Sequence, residues 1–303
     1  MKHLLKLSDI SATKIEQILD VADILKKDLK RGKKHKLLKG KTLGMIFQKA
    51  STRTRVSFEV GMYQLGGNAL FLSSRDLQIG RGEPVQDTAR VLSRYLDGIM
   101  IRTFGQDEVE DLAKYGSISI INGLTDYAHP CQVLADLMTI REHKQHLKGR
   151  KLCYVGDGNN MANSLIVGGI KMGMEVSIGC PVGYEPDKAI MEWAKAAGTF
   201  TCTPDMLAAA ADADVLYTDV WSSKGMESEA EEWKRIFKDY QINDAIMEAA
   251  KADAMVLHCL PAHREEEITA KVFESHANEI FDEAENRLHA QKAVMALTMG
   301  NAD

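Results

Sequence analysis

The chain lacks most of what would mark a secreted, membrane-spanning or nucleic-acid-binding protein. Its five cysteines, Cys131, Cys153, Cys180, Cys202 and Cys259, show no CxxC spacing, which argues against a disulfide framework and a thiolate zinc site and fits a reducing compartment. No apolar run approaches the ~18 residues of a membrane span. The opening MKHLLKLSDISATKIEQILD is too polar for a secretory leader, so a cytoplasmic protein is expected. A net charge of -5 and a pI near 6.0 give no overall attraction to nucleic acid or to an anionic membrane. The one basic run, KKDLKRGKKHKLLKGK at 26–41, reads as a solvated helix end and loop. Neither an internal repeat nor a low-complexity segment is present. What remains is an ordinary globular composition, 45% hydrophobic and 27% charged, in 303 residues, a length that favours two domains.

Short β-prone runs alternate with longer runs of helical period, the pattern of parallel sheets covered by helices. One series has strands expected at 41–48, 68–74, 98–103 and 117–123. A second has them at 151–158, 175–181, 214–221 and 254–261, with HKQHLKGRK (143–151) as the loop between the series. The fold class expected is α/β, two domains, each a mainly parallel sheet flanked by helices, with an active site in the interdomain cleft, because open α/β sheets bind ligands beyond the carboxyl ends of their strands. A final helix is expected in AENRLHAQKAVMALTMG.

Several strand ends carry polar motifs. In QKASTRTRVSFEVGMYQLGG (48–67), Phe58, Met62 and Leu65 fall on one helix face and the paired glycines end it. The start of that helix, with the hydroxyls of Ser51, Thr52 and Thr54 and the guanidinium forks of Arg53 and Arg55, offers unpaired N–H groups and side-chain donors that suit a phosphate. The same residues also fit an N-cap serine beside ordinary surface arginines. HPCQ puts His129 and Gln132 on one helix face, with Val133, Leu134, Leu137 and Met138 as its buried side, and suits a small carbonyl and its amide nitrogen. A capping histidine and a polar glutamine at a domain junction is the alternative.

GDGNNMANS (156–164) opens a helix after a strand, yet Met161 stands where G-x-G-x-x-G needs glycine, so a nicotinamide site is not supported. Asp157, Asn159, Asn160 and Asn163 instead make a polar strand end suited to a small zwitterion. Asp219, at the strand end in TDVW (218–221), fits an ammonium partner or a helix cap. HCLPAHREEEIT (258–269) sets Cys259 at another strand end. A nucleophilic thiol needs a base and an oxyanion hole, and a buried structural thiol is the commoner outcome. No nearby ligand set completes a metal site around His258 and His263.

Together, STRTR, HPCQ, GDGNN, DVW with the following S-x-G, HCLPAHR and AENR (284–287) occur in the order and spacing of the carbamoyltransferases. Over essentially its whole length the chain resembles the ornithine carbamoyltransferases. STRT and HPxQ are shared with the aspartate enzymes, and HCLP narrows the likeness to the ornithine type. The resemblance implies a carbamoyl phosphate-binding domain at 1–145, with the helix at 284–303 packing back on it, and an ornithine-binding domain at 146–283. It implies that Ser51, Thr52, Arg53 and Thr54 hold phosphate, and that Arg102 bridges phosphate and carbonyl oxygen. His129 would meet that oxygen and Gln132 the carbamoyl nitrogen, while Cys259, Leu260 and Arg287 close the carbamoyl pocket. Asn160, Asp219, Ser223 and the backbone of Lys224 would grip ornithine.

The reaction implied is direct attack of the ornithine side-chain amine, giving citrulline and phosphate in arginine metabolism, with no cofactor and no metal. Arg102, His129, Cys259 and Arg287 would be the catalytic set. Gln78 would reach a neighbouring subunit's site in a homotrimer. The loop departs from the family's usual S-M-G, reading Ser223, Lys224, Gly225. A carbamoyltransferase for putrescine or N-acetylornithine and a non-catalytic relative stay open, although Asp219 with Ser223 favours a free α-amino acid.

Overall fold

The computed structural model describes residues 1–221 and 230–300. Ser223 and Lys224 lie outside the described residues. The chain divides into two compact units, Met1–Met138 with Glu285–Asp303 and Thr139–Ala284.

The first unit holds α1 (Ala12–Lys30), β1 (Thr42–Phe47), α2 (Thr52–Gln64), β2 (Asn68–Ser73), α3 (Val85–Leu92), β3 (Gly98–Arg102), α4 (Gln106–Tyr115), β4 (Ser119–Leu124) and the first part of α5 (Pro130–Lys144). All strand pairs are parallel and the order is β2-β1-β3-β4. Alternate sheet residues Ile46, Ile99, Ile101 and Ile120 pack with Ala89 of α3 and with Val109 and Leu112 of α4. On α2, Phe58 and Met62 are buried with Leu65, the face expected from the sequence. Gly66 ends that helix at φ +81, a conformation few side chains adopt. The helix HPCQ opens differs from the expectation of one buried side. Every residue from 128 to 140 is buried, polar ones included, so this segment is interior rather than amphipathic. It also runs on through Lys144, past the start of the expected loop.

The second unit contains β5 (Lys151–Val155), α6 (Asn160–Lys171), β6 (Glu175–Gly179), α7 (Lys188–Ala197), β7 (Phe200–Thr203), α8 (Met206–Ala210), β8 (Val215–Thr218), α9 (Ala230–Phe237), α10 (Asp244–Ala249), β9 (Met255–His258), α11 (Ala270–Ser275) and the start of α12 (Ala277–Met299), whose remainder belongs to the first unit. Its order is β7-β6-β5-β8-β9, again parallel throughout. Cys153 and Val155 of β5, Leu216 of β8 and Val256 of β9 form the core with Ile246, Phe273 and Ile280. β7 was not expected from the sequence. It is a four-residue edge strand with one buried position, too short and too polar to make an apolar run.

Among the described residues no helix is long and apolar enough to cross a membrane.

Candidate active site

In the first unit the strand order reverses between β1 and β3, and the polar motifs emerge there. Ser51 is the N-cap of α2, its hydroxyl accepting from the Thr54 N–H at 3.3 Å. The first turn carries no acidic side chain, so the positive end of the helix dipole is not neutralised locally. Thr52 is exposed, Ser51 and Arg53 are half-buried, and Thr54 is buried. Arg55 faces elsewhere: it lies 3.8 Å from the centre of the Phe71 ring and 3.6 Å from Glu59. Arg102 ends β3 at a register shift against β4, and such a bulge re-aims a side chain.

Arg287 of α12 reaches residues distant in sequence. Its Nη1 donates to Gln132 Oε1 at 2.5 Å and its Nη2 to Thr54 Oγ1 at 3.1 Å. With its amide turned to satisfy both neighbours, Gln291 accepts from Arg287 Nε at 3.2 Å and donates to Ser57. Gln132 in turn donates to Asp136 at 2.8 Å. The guanidinium is thus held rigid by three polar side chains in the interior. His129 is buried beside this group. Burial first, then the positive charges of Arg287, Arg102 and Arg53, holds its pKa well below the usual histidine value. It is a neutral imidazole beside three guanidinium groups, a suitable donor to a carbonyl oxygen near bound anionic charge.

In the second unit the order reverses between β5 and β8. GDGNN follows β5, and Asp219 follows β8. Asn159 caps α6, accepting from the Met161 and Ala162 N–H groups, and its amide lies 3.4 Å from Asp219 Oδ2. Asn160 is the first residue of α6 and half-buried. Gly158 permits a close approach: a Cβ there would lie 2.2 Å from the Pro186 nitrogen. Cys259 donates to Asp219 Oδ1 at 3.0 Å. Asp219 also accepts from its neighbour Val220 N–H at 2.8 Å, rather than capping a described helix. Asp157 is shifted upward to about 7, by burial and then by the charge of Asp219.

The segment carrying Cys259 and Leu260 is braced from behind by residues the motif reading did not assign. Leu260 adopts φ +58 and its N–H donates to His258 Nδ1 at 2.9 Å. That fixes the His258 proton on Nε2, which meets Glu267 Oε1 at 3.0 Å, and the same oxygen accepts from His263 N–H at 2.6 Å. Glu283 accepts from His258 N–H at 2.9 Å and from the Tyr217 hydroxyl at 3.2 Å. Nothing local in sequence distinguishes Glu267 or Glu283 from surface acids; only their complete burial does.

His263, Glu266 and Glu267 bring donor atoms within 4.8 Å of one another, a ligand set the sequence reading did not find. Glu266 pairs with Lys234 at 3.0 Å and Glu267 serves the brace, so hydrogen bonding already occupies these carboxylates.

Gln78 opens a 3₁₀ turn, Gln78–Arg81, and is exposed.

Residues 2–142 match the family model described as aspartate/ornithine carbamoyltransferase, carbamoyl-P binding domain, and residues 148–298 match the Asp/Orn binding domain of the same family. The chain is 54% identical to the ornithine carbamoyltransferase of Thermococcus kodakarensis, covering 99% of this chain and 96% of that one. It is 55% identical to the anabolic ornithine carbamoyltransferase of Pyrococcus furiosus over the same shares. Among solved structures, the ornithine carbamoyltransferase of Pyrococcus furiosus superposes with a TM-score of 0.95 at 54% identity, covering 100% of this chain and 98% of the other. The anabolic enzyme of Campylobacter jejuni superposes with a TM-score of 0.92 at 41% identity, covering 98% and 99%.

Proposed function

Since the chain belongs to the aspartate/ornithine carbamoyltransferase family, we propose that it transfers the carbamoyl group of carbamoyl phosphate to the side-chain amine of L-ornithine, giving L-citrulline and phosphate. The observation that carries this reading is the Arg287–Gln132–Thr54 hydrogen-bonded group beside His129, at the strand ends where Arg102 and the α2 N-terminus emerge.

In the first unit, Ser51, Thr52, Arg53 and Thr54 take the phosphate through the α2 N–H groups, hydroxyls and a guanidinium, and Gln132 with Arg287 orients the carbamoyl group. Asn160 and Asp219 of the second unit, with Ser223 and the Lys224 backbone, bind the amino-acid end of ornithine. The neutral side-chain amine attacks the carbamoyl carbon, and the C=O π electrons move to oxygen. Arg102, Thr54 and neutral His129 stabilise that developing charge. Collapse of the tetrahedral intermediate breaks the C–O bond to phosphate, and the amine proton leaves with solvent or phosphate. Cys259 and Leu260, held by His258 and Glu267, line the reacting end. Positioning of two reactants supplies most of the acceleration, and no cofactor or metal takes part.

A colorimetric ureido assay with carbamoyl phosphate and ornithine, putrescine, N-acetylornithine, lysine and aspartate tests this. Product from ornithine in clear excess is expected. A preference for putrescine would overturn the ornithine assignment, and no product from any amine would overturn the enzyme itself.

The active form is a homotrimer in this reading. Val56, Val60 and Tyr63 of α2 and Leu70 and Phe71 of the edge strand β2 are each exposed, large apolar side chains of the kind another copy of the chain covers. Exposed Gln78 is then available to a neighbouring phosphate site. Light scattering should give three times the 33.6 kDa chain mass. The enzyme acts in the cytoplasm, in arginine biosynthesis, as the likeness to anabolic relatives suggests.

A further inference from the structure

Asp157 and Asp219 leave the ends of neighbouring strands, since β5 and β8 pair with Val155 opposite Thr218. Among the described residues neither carboxylate has a lysine or arginine partner. Asp219 is met by the Cys259 thiol, the Asn159 amide and the Val220 N–H, and Asp157 by the Gly158 N–H. Two like charges side by side in a half-buried setting destabilise each other, and a bound cation relieves this.

A second observation points to the same place. Tyr154 is completely buried, and among the described residues its hydroxyl has no hydrogen-bond partner. A Cβ built on Gly156 would sit 3.4 Å from that hydroxyl and 3.7 Å from Thr218 Oγ1, so the phenol reaches the strand ends beside the two aspartates. Burial, and then the nearby charges of Asp219 and Asp157, keeps the phenol protonated well beyond its ordinary range. It is therefore a standing donor toward this site.

We infer that Asp157 is a specificity-determining residue of the amino-acid site, forming with Asp219 a two-carboxylate acceptor for the substrate's α-ammonium, with the Tyr154 hydroxyl positioned against the pair. The inference rests on the function proposed above only for which amino acid is bound. The titratable groups facing Asp157 are Asp219 after β8, Tyr154 on β5 and Cys180 after β6, with Cys259 reached through Asp219. With burial and then the Asp219 charge pushing Asp157 up to about 7, its ionised share rises about tenfold between pH 6 and pH 8. The α-ammonium and α-carboxylate of an amino acid keep their charges over that range.

The test uses L-norvaline, which has the α-groups of ornithine and no side-chain nucleophile, titrated calorimetrically into the full chain saturated with carbamoyl phosphate. The affinity of carbamoyl phosphate alone is measured at each pH as the control. Norvaline should bind wild-type protein about tenfold more tightly at pH 8 than at pH 6. Asp157→Asn should weaken norvaline about tenfold at pH 8 and abolish the pH dependence, and Tyr154→Phe should weaken it severalfold, both leaving carbamoyl phosphate affinity within twofold. Wild-type binding that is absent or unchanged across this range would overturn the assignment, as would a folded Asp157→Asn protein that keeps the wild-type profile. If that variant does not fold, the wild-type titration decides. Norvaline binding with the expected profile, together with no ureido product from ornithine, would remove the proposed function and leave this site standing.

Discussion

At the point where strand order reverses, the two units carry opposite charge. In the first unit, Arg53, Arg102 and Arg287 gather around neutral His129, and the first turn of α2 carries no acidic side chain. In the second, Asp157 and Asp219 stand at the ends of β5 and β8 without a described cation to balance them. The sheets are built alike, all parallel and reversing beside their first strands, β1 and β5. The difference teaches that the fold supplies only the location of a site, and the side chains placed there choose between an anionic and a cationic ligand. The supports differ in the same sense. A buried guanidinium anchors the first site through Gln132, Thr54 and Gln291, whereas a histidine–glutamate brace behind Leu260 supports the second.

If the charges divide the labour in this way, the sharpest break comes from Arg53→Ala. Saturable carbamoyl phosphate binding should vanish by calorimetry, with kcat/KM falling at least about a hundredfold, roughly 3 kcal/mol of charge-assisted hydrogen bonding. Wild-type binding would show that the α2 terminus is not the phosphate site. Asp219→Asn should act on the other side alone. Steady-state kinetics should show the ornithine KM raised about thirtyfold, near 2 kcal/mol, with carbamoyl phosphate affinity within twofold of wild type. A change shared equally by both substrates would erase the distinction between the units.

Glu267→Ala probes the brace. It leaves the His258 Nε2–H and the His263 N–H without their buried acceptor, so about 2 kcal/mol of stability should be lost, read as a lower Tm in calorimetry, with a fall in kcat of about tenfold as the Leu260 segment loosens. A further break is a pH dependence that originates in the first unit. Burial is the largest cause holding His289 down to about 4, so the native state binds fewer protons there than the unfolded chain, whose histidines titrate near 6.5. Its contribution is present above pH 6.5 and is lost as pH falls toward 4. Thermal melts across that interval should decline less steeply for His289→Gln than for wild type.

Much of this was legible in the sequence because it is short-range. Ser51 ahead of a helical period set by Phe58, Met62 and Leu65 announces the start of α2, and the glycines at 66 and 67 its end. Eight of the described strands lie where apolar β-prone runs stand, while β7, half-exposed and four residues long, has no such run to be read. HPCQ looked like one face of an amphipathic helix because its neighbours are mixed in character; burial on every side depends on packing that no local period encodes.

The motifs themselves were readable residue by residue, and their partners were not. Glu267 and Glu283 resemble any surface acid until the fold buries them. Capping, periodicity and turn chemistry are decided within a few residues, so the sequence by itself determined the strands, the helix starts and the chemical groups offered at strand ends. The meeting of Arg287 with Gln132, 155 residues away, the re-aiming of Arg102 at a bulge and the juxtaposition of Asp157 with Asp219 were decided only by the tertiary structure. Strand order and register bring distant positions together, and neither is written in any local stretch of the chain.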